Sequence, residues 1–119
     1  KRKFYKGQAE ELVEFGKWIF FANSRIKGSK STRLEQWKAI ERISGKAPRE
    51  LANEPHLHEG LVPTWNTYCE ISSSVESISL SDIKAYCDVY NDTLDRWQVD
   101  AILALDLQRQ KQWQTQSQD

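Results

Sequence analysis

GLVPTWNTYCEISSS (residues 60–74), SLSDIKAYC (79–87) and LDRWQVDAILALD (94–106) follow one another in the C-terminal half of the chain. Each is a short amphipathic helix by spacing. Pro63 can open the first, because the amide it lacks would be unpaired there anyway. Trp65, Tyr68, Cys69 and Ile71 then share one broad face, and Ser72-Ser73-Ser74 ends it, since serine side chains compete with helical backbone bonds. A small polar linker leads to Ser79 or Ser81 as the next cap, with Asp82 in the first turn where the helix dipole favours an acid. Leu80, Ile83, Tyr86, Cys87 and Tyr90 stand at offsets 0, 3, 6, 7 and 10, a helical stripe. After the turn Asn91-Asp92-Thr93, residues Leu94, Trp97, Ala101, Ile102 and Leu105 line one face, with Asp95, Asp100 and Asp106 outside it. The glutamine-rich run that follows favours helix and carries it toward Trp113 before it frays.

Working outward, Gln8 to Asn23 places Leu12, Phe15, Ile19 and Ala22 at i, i+3, i+7 and i+10, with Glu10, Glu11 and Glu14 early. Trp18, Phe20 and Phe21 widen this stripe, so the helix is either deeply buried or has a second apolar side. Asn23–Lys30 is a polar break with Gly28, suited to a mobile loop. Thr32 and Glu35 match a capping box, Leu34, Trp37 and Ile40 follow in helical register with Ala39 and Ile43, and Gly45 is placed to stop the helix. Ala47–Ala52 fits one extra turn, and Asn53–Pro63 is a connection. The expected fold is therefore all-α, a small bundle of about five helices. In it a C-terminal three-helix lobe (60–119) packs on a basic N-terminal two-helix region (1–59), together forming one compact domain.

Composition supports a folded chain. At 119 residues, with 39% apolar residues and five Trp, it can bury a core without staples. The net charge is zero, yet residues 1–60 hold 13 Lys/Arg against 8 acids (+5) and residues 61–119 hold 4 against 9 (−5). Such asymmetry can steer a partner, bring two copies together head to tail, or be compensated within the fold. Cys69 and Cys87 are too few for a disulfide framework and read as buried free thiols of a reducing compartment. No run nears the roughly 18 apolar residues of a membrane span, and no secretory signal opens the chain. There is no Met, even at position 1, so a trimmed product or a piece of a longer one is expected.

The residue chemistry points away from catalysis. His56 and His58 could chelate zinc from a loop, but further ligands would have to come from Cys69 and Cys87 at poor spacing, so no metal and no cofactor are expected. His58 beside either thiol has no orienting third group, and Asp95 and Asp100 sit on a solvated face. Two features could hold nucleic acid or an acidic partner. One is Lys1–Lys6. The other is the stretch 25–49, with Arg25, Lys27, Lys30, Arg33, Lys38 and Arg42 among eight bases against two acids. The helix–turn–helix order of the C-terminal lobe invites a DNA-reading comparison, but Asp95 and Asp100 would repel phosphate.

The motif Gly60-Leu61-x-x-x-Trp65-x-x-Tyr68-x-Glu70-Ile71-Ser72-Ser73, then Ile83-x-x-Tyr86-Cys87, then Leu94-x-x-Trp97-x-Val99-x-Ala101-Ile102-x-x-Leu105-Asp106 resembles the tail assembly chaperones of tailed bacteriophages. The resemblance covers Gly60 to Trp113. It implies a non-enzymatic protein-binding module in the cytoplasm of the infected bacterial host, holding the tape-measure protein and recruiting tail tube subunits. Holding a long helix needs aromatics in a polar-edged groove, and Trp65, Tyr68, Tyr86, Tyr90, Trp97 and Trp113 are the candidates. The alternatives are a basic nucleic-acid-binding protein using residues 1–6 and 25–49, or a structural virion or assembly subunit that associates with itself.

Overall fold

A computed structural model describes the backbone of residues 2–117 and the side chains of residues 7–115. Among these residues the fold is an all-α bundle without strands. The helices are α1 (Arg2–Ala22), α2 (Arg33–Ser44), α3 (Arg49–Ala52), α4 (Val62–Ser72), α5 (Leu80–Tyr90) and α6 (Arg96–Ser117), with a 3-10 turn at Glu59–Leu61 before α4. The first helix starts six residues earlier than its apolar stripe, because the stripe marks the buried part and not the helix end. The 3-10 turn is also unforeseen. His58 nucleates it, its Nδ1 accepting the Gly60 N–H at 3.0 Å, while its own N–H donates to Glu11 at 3.2 Å.

The long helices α1 and α6 form the spine and run parallel. Gly16 meets Leu105, and the segment beyond it, Lys17 to Phe21, lies beside Gln108 to Thr115. A Cβ at Gly16 would collide with the buried Leu105 side chain, so glycine permits the close crossing. Leu12, Leu61, Tyr68, Ile71, Ile78, Ile83, Ala101, Ile102 and Leu105 make the core. Each such aliphatic side chain taken from water stabilises the fold by about 1.5–3 kcal/mol before chain entropy is counted.

The wide stripe of α1 does serve two sides. Phe15 and Phe20 pack on Trp65, at 5.0 and 6.2 Å between ring centroids, and Phe20 also faces Tyr68. On the other side Trp18 and Phe21 meet Trp37 of α2 at 5.9 and 6.0 Å, with the Arg33 guanidinium 4.4 Å above the Phe21 ring. Trp18 Nε1 donates to the Glu50 carbonyl, tying α3 to α1.

Local signals set the helix ends. Thr32–Glu35 and Ser79–Asp82 both form complete capping boxes, and Gly45 (φ 76°) and Asn91 (φ 51°) close their helices in the left-handed region. At the end of α4 the hydroxyls of Ser72, Ser73 and Ser74 donate to the carbonyls of Cys69, Glu70 and Ile71, and the backbone amides of Ser73 and Ser74 donate to Cys69 and Ile71 as well. The 23–30 break is a hydrogen-bonded turn. Ile26 N–H donates to Ser31 O, Arg25 bridges to Thr32, and the buried Ser24 hydroxyl is bound by Arg33.

One residue departs from the expected amphipathic pattern. Asp106, read from spacing as lying outside the apolar face, is 1% exposed. Its Oδ2 accepts the Ile78 N–H and Gln110 Nε2, both at 2.8 Å, and its Oδ1 accepts from Arg109 at 2.6 and 2.9 Å. Arg109 also donates to the Glu76 carbonyl and Gln110 to the Ser77 hydroxyl. The α4–α5 linker, which has no regular structure of its own, is fastened to α6 by this network. A buried carboxylate is tolerable only with such partners.

Candidate protein-binding groove

Helix α5 packs on α4 and leaves its outer side open. Ile83 faces the core and is buried, while Leu80, Val89 and Tyr90 are 64%, 74% and 66% exposed. Leu80 and Tyr90 belong to the stripe read from the sequence, but they stay exposed at the two ends of α5. Between α4 and α5 lies a trough of about 600 Å³, with Ile71, Val75, Tyr86, Val89 and Tyr90 as its apolar lining. Glu70 and Asp82 add carboxylates to its wall.

Tyr86 is the hinge of this surface. Its hydroxyl donates to Glu70 Oε2 at 2.6 Å, fixing the ring across the two helices, and its ring lies 4.8 Å from that of Tyr90. The bond to the Glu70 carboxylate, with desolvation behind it, raises the Tyr86 hydroxyl pKa. Apolar rings beside two carboxylates make a surface suited to an amphipathic helix, held mainly by area.

The remaining aromatic candidates are dispersed. Tyr68 is 2% exposed, and burial pushes its hydroxyl pKa up to about 12. Trp65 stacks among Phe15, Phe20 and Tyr68, and Trp97 packs half-buried against the core. Trp113 is 68% exposed on α6, beside Glu76, Ser77 and Arg109. Of the six, only Tyr86 and Tyr90 meet in the trough.

Val89 is not among the residues that the sequence reading names, and Glu70 enters it only as part of the family motif. Tyr86, Val89 and Tyr90 stand at i, i+3 and i+4, a second stripe beside the buried one, and that spacing is the signal that could have found Val89.

The basic candidates lie elsewhere. Arg25, Lys27 and Lys30 are exposed on the turn before α2, and Lys38 and Arg42 line a shallow recess with Ile26, Ser29, Ser31 and Glu35. Arg33 is half-buried and engaged with Ser24 and the Phe21 ring. The side chains of Lys1–Lys6 lie outside the described residues.

Both thiols are free. Contrary to the expectation that both are buried, Cys69 is exposed and Cys87 half-exposed. Desolvation and then neighbouring acids, Glu70 for Cys69, Asp92 and Asp88 for Cys87, raise both pKa values, which disfavours the nucleophilic thiolate. Among the described residues no three His, Cys, Asp or Glu side chains are grouped to hold a metal, and no helix is long and apolar enough to cross a membrane.

Comparison with curated proteins and with solved structures gives no match. The match to a family model is informative and begins twenty residues before the motif at 60–113, taking in the end of α2, the α2–α4 connection, α4, α5 and most of α6. Residues 40–110, more than half of the chain, match the model for phage tail assembly chaperones, and the chain belongs to that family.

Proposed function

We propose that this chain acts without catalysis, holding the tape-measure protein in the cytoplasm of the infected bacterium and bringing tail tube subunits to it. The α4–α5 trough is where a client helix docks in this reading. The observation that carries it is the open apolar lining of Tyr86, Val89 and Tyr90, walled by Glu70 and Asp82, in a family of assembly chaperones. Long helical clients offer amphipathic stripes, and a trough of this kind accepts one without demanding a unique sequence. Trp113 is a second exposed anchor further along α6, and Trp65, Tyr68 and Trp97 support the groove from behind. Residues 1–59 and 60–119 act as one domain here, because α1 completes the core beneath α4 and α6.

The test is a pull-down from phage-infected cells at moderate salt with this chain as bait. Recovery of a long helical tail protein, reduced at least tenfold by Tyr90→Ala with Val89→Ala and unchanged by Lys27→Ala, is the expected result. Recovery of nucleic acid that is released by salt and by neutralising Lys38 and Arg42 would replace this reading with one centred on the basic face, since phosphate binding weakens steeply with salt.

A further inference from the structure

Residues 23–52 are fastened to the rest of the molecule through a small aromatic cluster. None of them belongs to the core built by Leu12, Tyr68, Ile102 and their neighbours. Trp37 is the one buried side chain of α2, and α3 has none. The Trp37 ring meets Trp18 and Phe21 of α1, and Phe21, with Arg33 above it, is still 40% exposed. The bond from Trp18 Nε1 to the Glu50 carbonyl adds one tie at 3.2 Å. This is a satellite cluster, separate from the main core and open to water at its edge.

Two properties make the segment behave as a unit. Helix α2 has 12 residues, a length at which an isolated helix is marginal in water, so it unravels once Trp37 leaves its seat. Its charge also works against compaction. Residues 25–49 carry eight bases against two acids, and the exposed Lys38 and Arg42 stand one helical turn apart.

We propose that residues 23–52 are a strap that opens as one unit, by release of Trp37, while α1, α4, α5 and α6 stay folded. Opening uncovers Trp18 and Phe21, the second apolar side of α1. It joins them to the recess that Phe20, Phe21 and Lys111 line between α1 and α6. The aromatic surface that α1 offers is thus conditional on the strap. The inference is independent of the α4–α5 trough, to whose lining the strap contributes no residue.

Native-state hydrogen exchange of the purified chain, followed amide by amide in low denaturant, tests it. The most protected amides of α2 should be at least about thirtyfold less protected than those of α6. They should share one opening with a shallow denaturant slope, because the slope scales with the surface exposed. Ile102→Val trims the core and leaves the strap alone. It should lower protection in α6 by roughly two- to tenfold and leave α2 unchanged. Trp37→Ala should abolish protection in α2 while α4 and α6 remain protected.

A smaller gap between α2 and α6 in the wild-type chain overturns the proposal. So does an equal loss in both helices on Ile102→Val, which would mean that strap and core open only together. A Trp37→Ala chain without protection in α4 and α6 overturns it too, because the core would then need the strap. Loss graded inward from the ends of α2, with no shared slope, replaces the strap with simple fraying.

Discussion

Two aromatic pairs, Trp65–Tyr68 on α4 and Tyr86–Tyr90 on α5, have nearly the same helical spacing and opposite surroundings. The first pair is enclosed by Phe15 and Phe20 of α1, with Tyr68 2% exposed. The second has α4 on one side and open surface on the other, with Tyr90 66% exposed. The difference is made by the neighbours. Helix α4 sits against the α1–α6 spine, whereas α5 packs on α4 alone among the extensive helix contacts. An apolar stripe therefore reports that something covers it, and only the rest of the fold decides whether that cover is the same molecule.

The contrast breaks most visibly in stability. Tyr68→Ala should cost about 3–5 kcal/mol, the usual range for deleting a buried aromatic, and should lower the melting temperature by more than about 10 °C in a chain of this size. Tyr90→Ala should change stability by less than about 0.5 kcal/mol, as for other exposed positions. Thermal melts followed by circular dichroism compare the two directly. Equal losses would mean that α5 is covered in the free chain.

Next in size is the pin that holds the α4–α5 linker. Asp106→Ala leaves the Ile78 N–H without its acceptor and Arg109 without its closest partner. Because Arg109 is about one-third exposed, its lost pairing is partly screened, and the total cost should be about 2–3 kcal/mol. Hydrogen exchange should also rise at Ile78 and through the start of α5 before the α1–α6 spine opens. Exchange that rises uniformly would show that the linker and spine open as one unit.

A third prediction uses alkaline pH. The Tyr68 hydroxyl is pushed up to about 12, first by burial, with Asp106 and Cys69 adding to the rise and Arg109 opposing it. This hydroxyl is buried without a hydrogen bond of good geometry; the nearby Ser72 hydroxyl, which also opposes the rise, donates to the Cys69 carbonyl. The folded pKa lies above the unfolded value of about 10, so the native state disfavours the tyrosinate. The corresponding stability is fully present below pH 10 and is lost as pH rises toward 12. Tyr68→Phe should abolish that alkaline loss and, by removing an unpaired buried hydroxyl, should raise neutral-pH stability by up to about 1 kcal/mol. A fall of that size in Tyr68→Phe would mean the hydroxyl has a partner.

The parts of this fold that sequence made legible are those set by local chemistry. Both capping boxes, the Gly45 stop, the serine end of α4 and the all-helical class follow from short-range patterns, and the chaperone motif marked the family from residues that pack helices together. What stayed hidden depends on contacts distant in sequence. Asp106 carries no local sign of burial, because the Ile78 amide it binds lies 28 residues away. Gly16 looks like a weak point in a helix until Leu105 is seen against it. The aromatic list could not be divided into core and surface, since Trp65, Trp97, Tyr86 and Tyr90 follow one periodicity and only the α1–α6 spine separates them.

The smallest effect is the sharpest probe of the trough itself. Tyr86→Phe keeps the ring against Tyr90 and removes only the 2.6 Å bond to Glu70. That bond lies at the surface, where water replaces a lost partner, so stability should fall by no more than about 0.5 kcal/mol. Its absence frees two things at once. The Tyr86 ring loses its anchor across α4 and α5, and the Glu70 carboxylate becomes available to a cation. If the trough works mainly through apolar area on a fixed ring, Tyr86→Phe should weaken capture of a client several-fold. If charge on Glu70 dominates, the same change should strengthen capture and steepen its salt dependence. The fixed-ring outcome is expected, because aromatic anchors contribute most when they are held in place before binding, and a rim carboxylate in water contributes little.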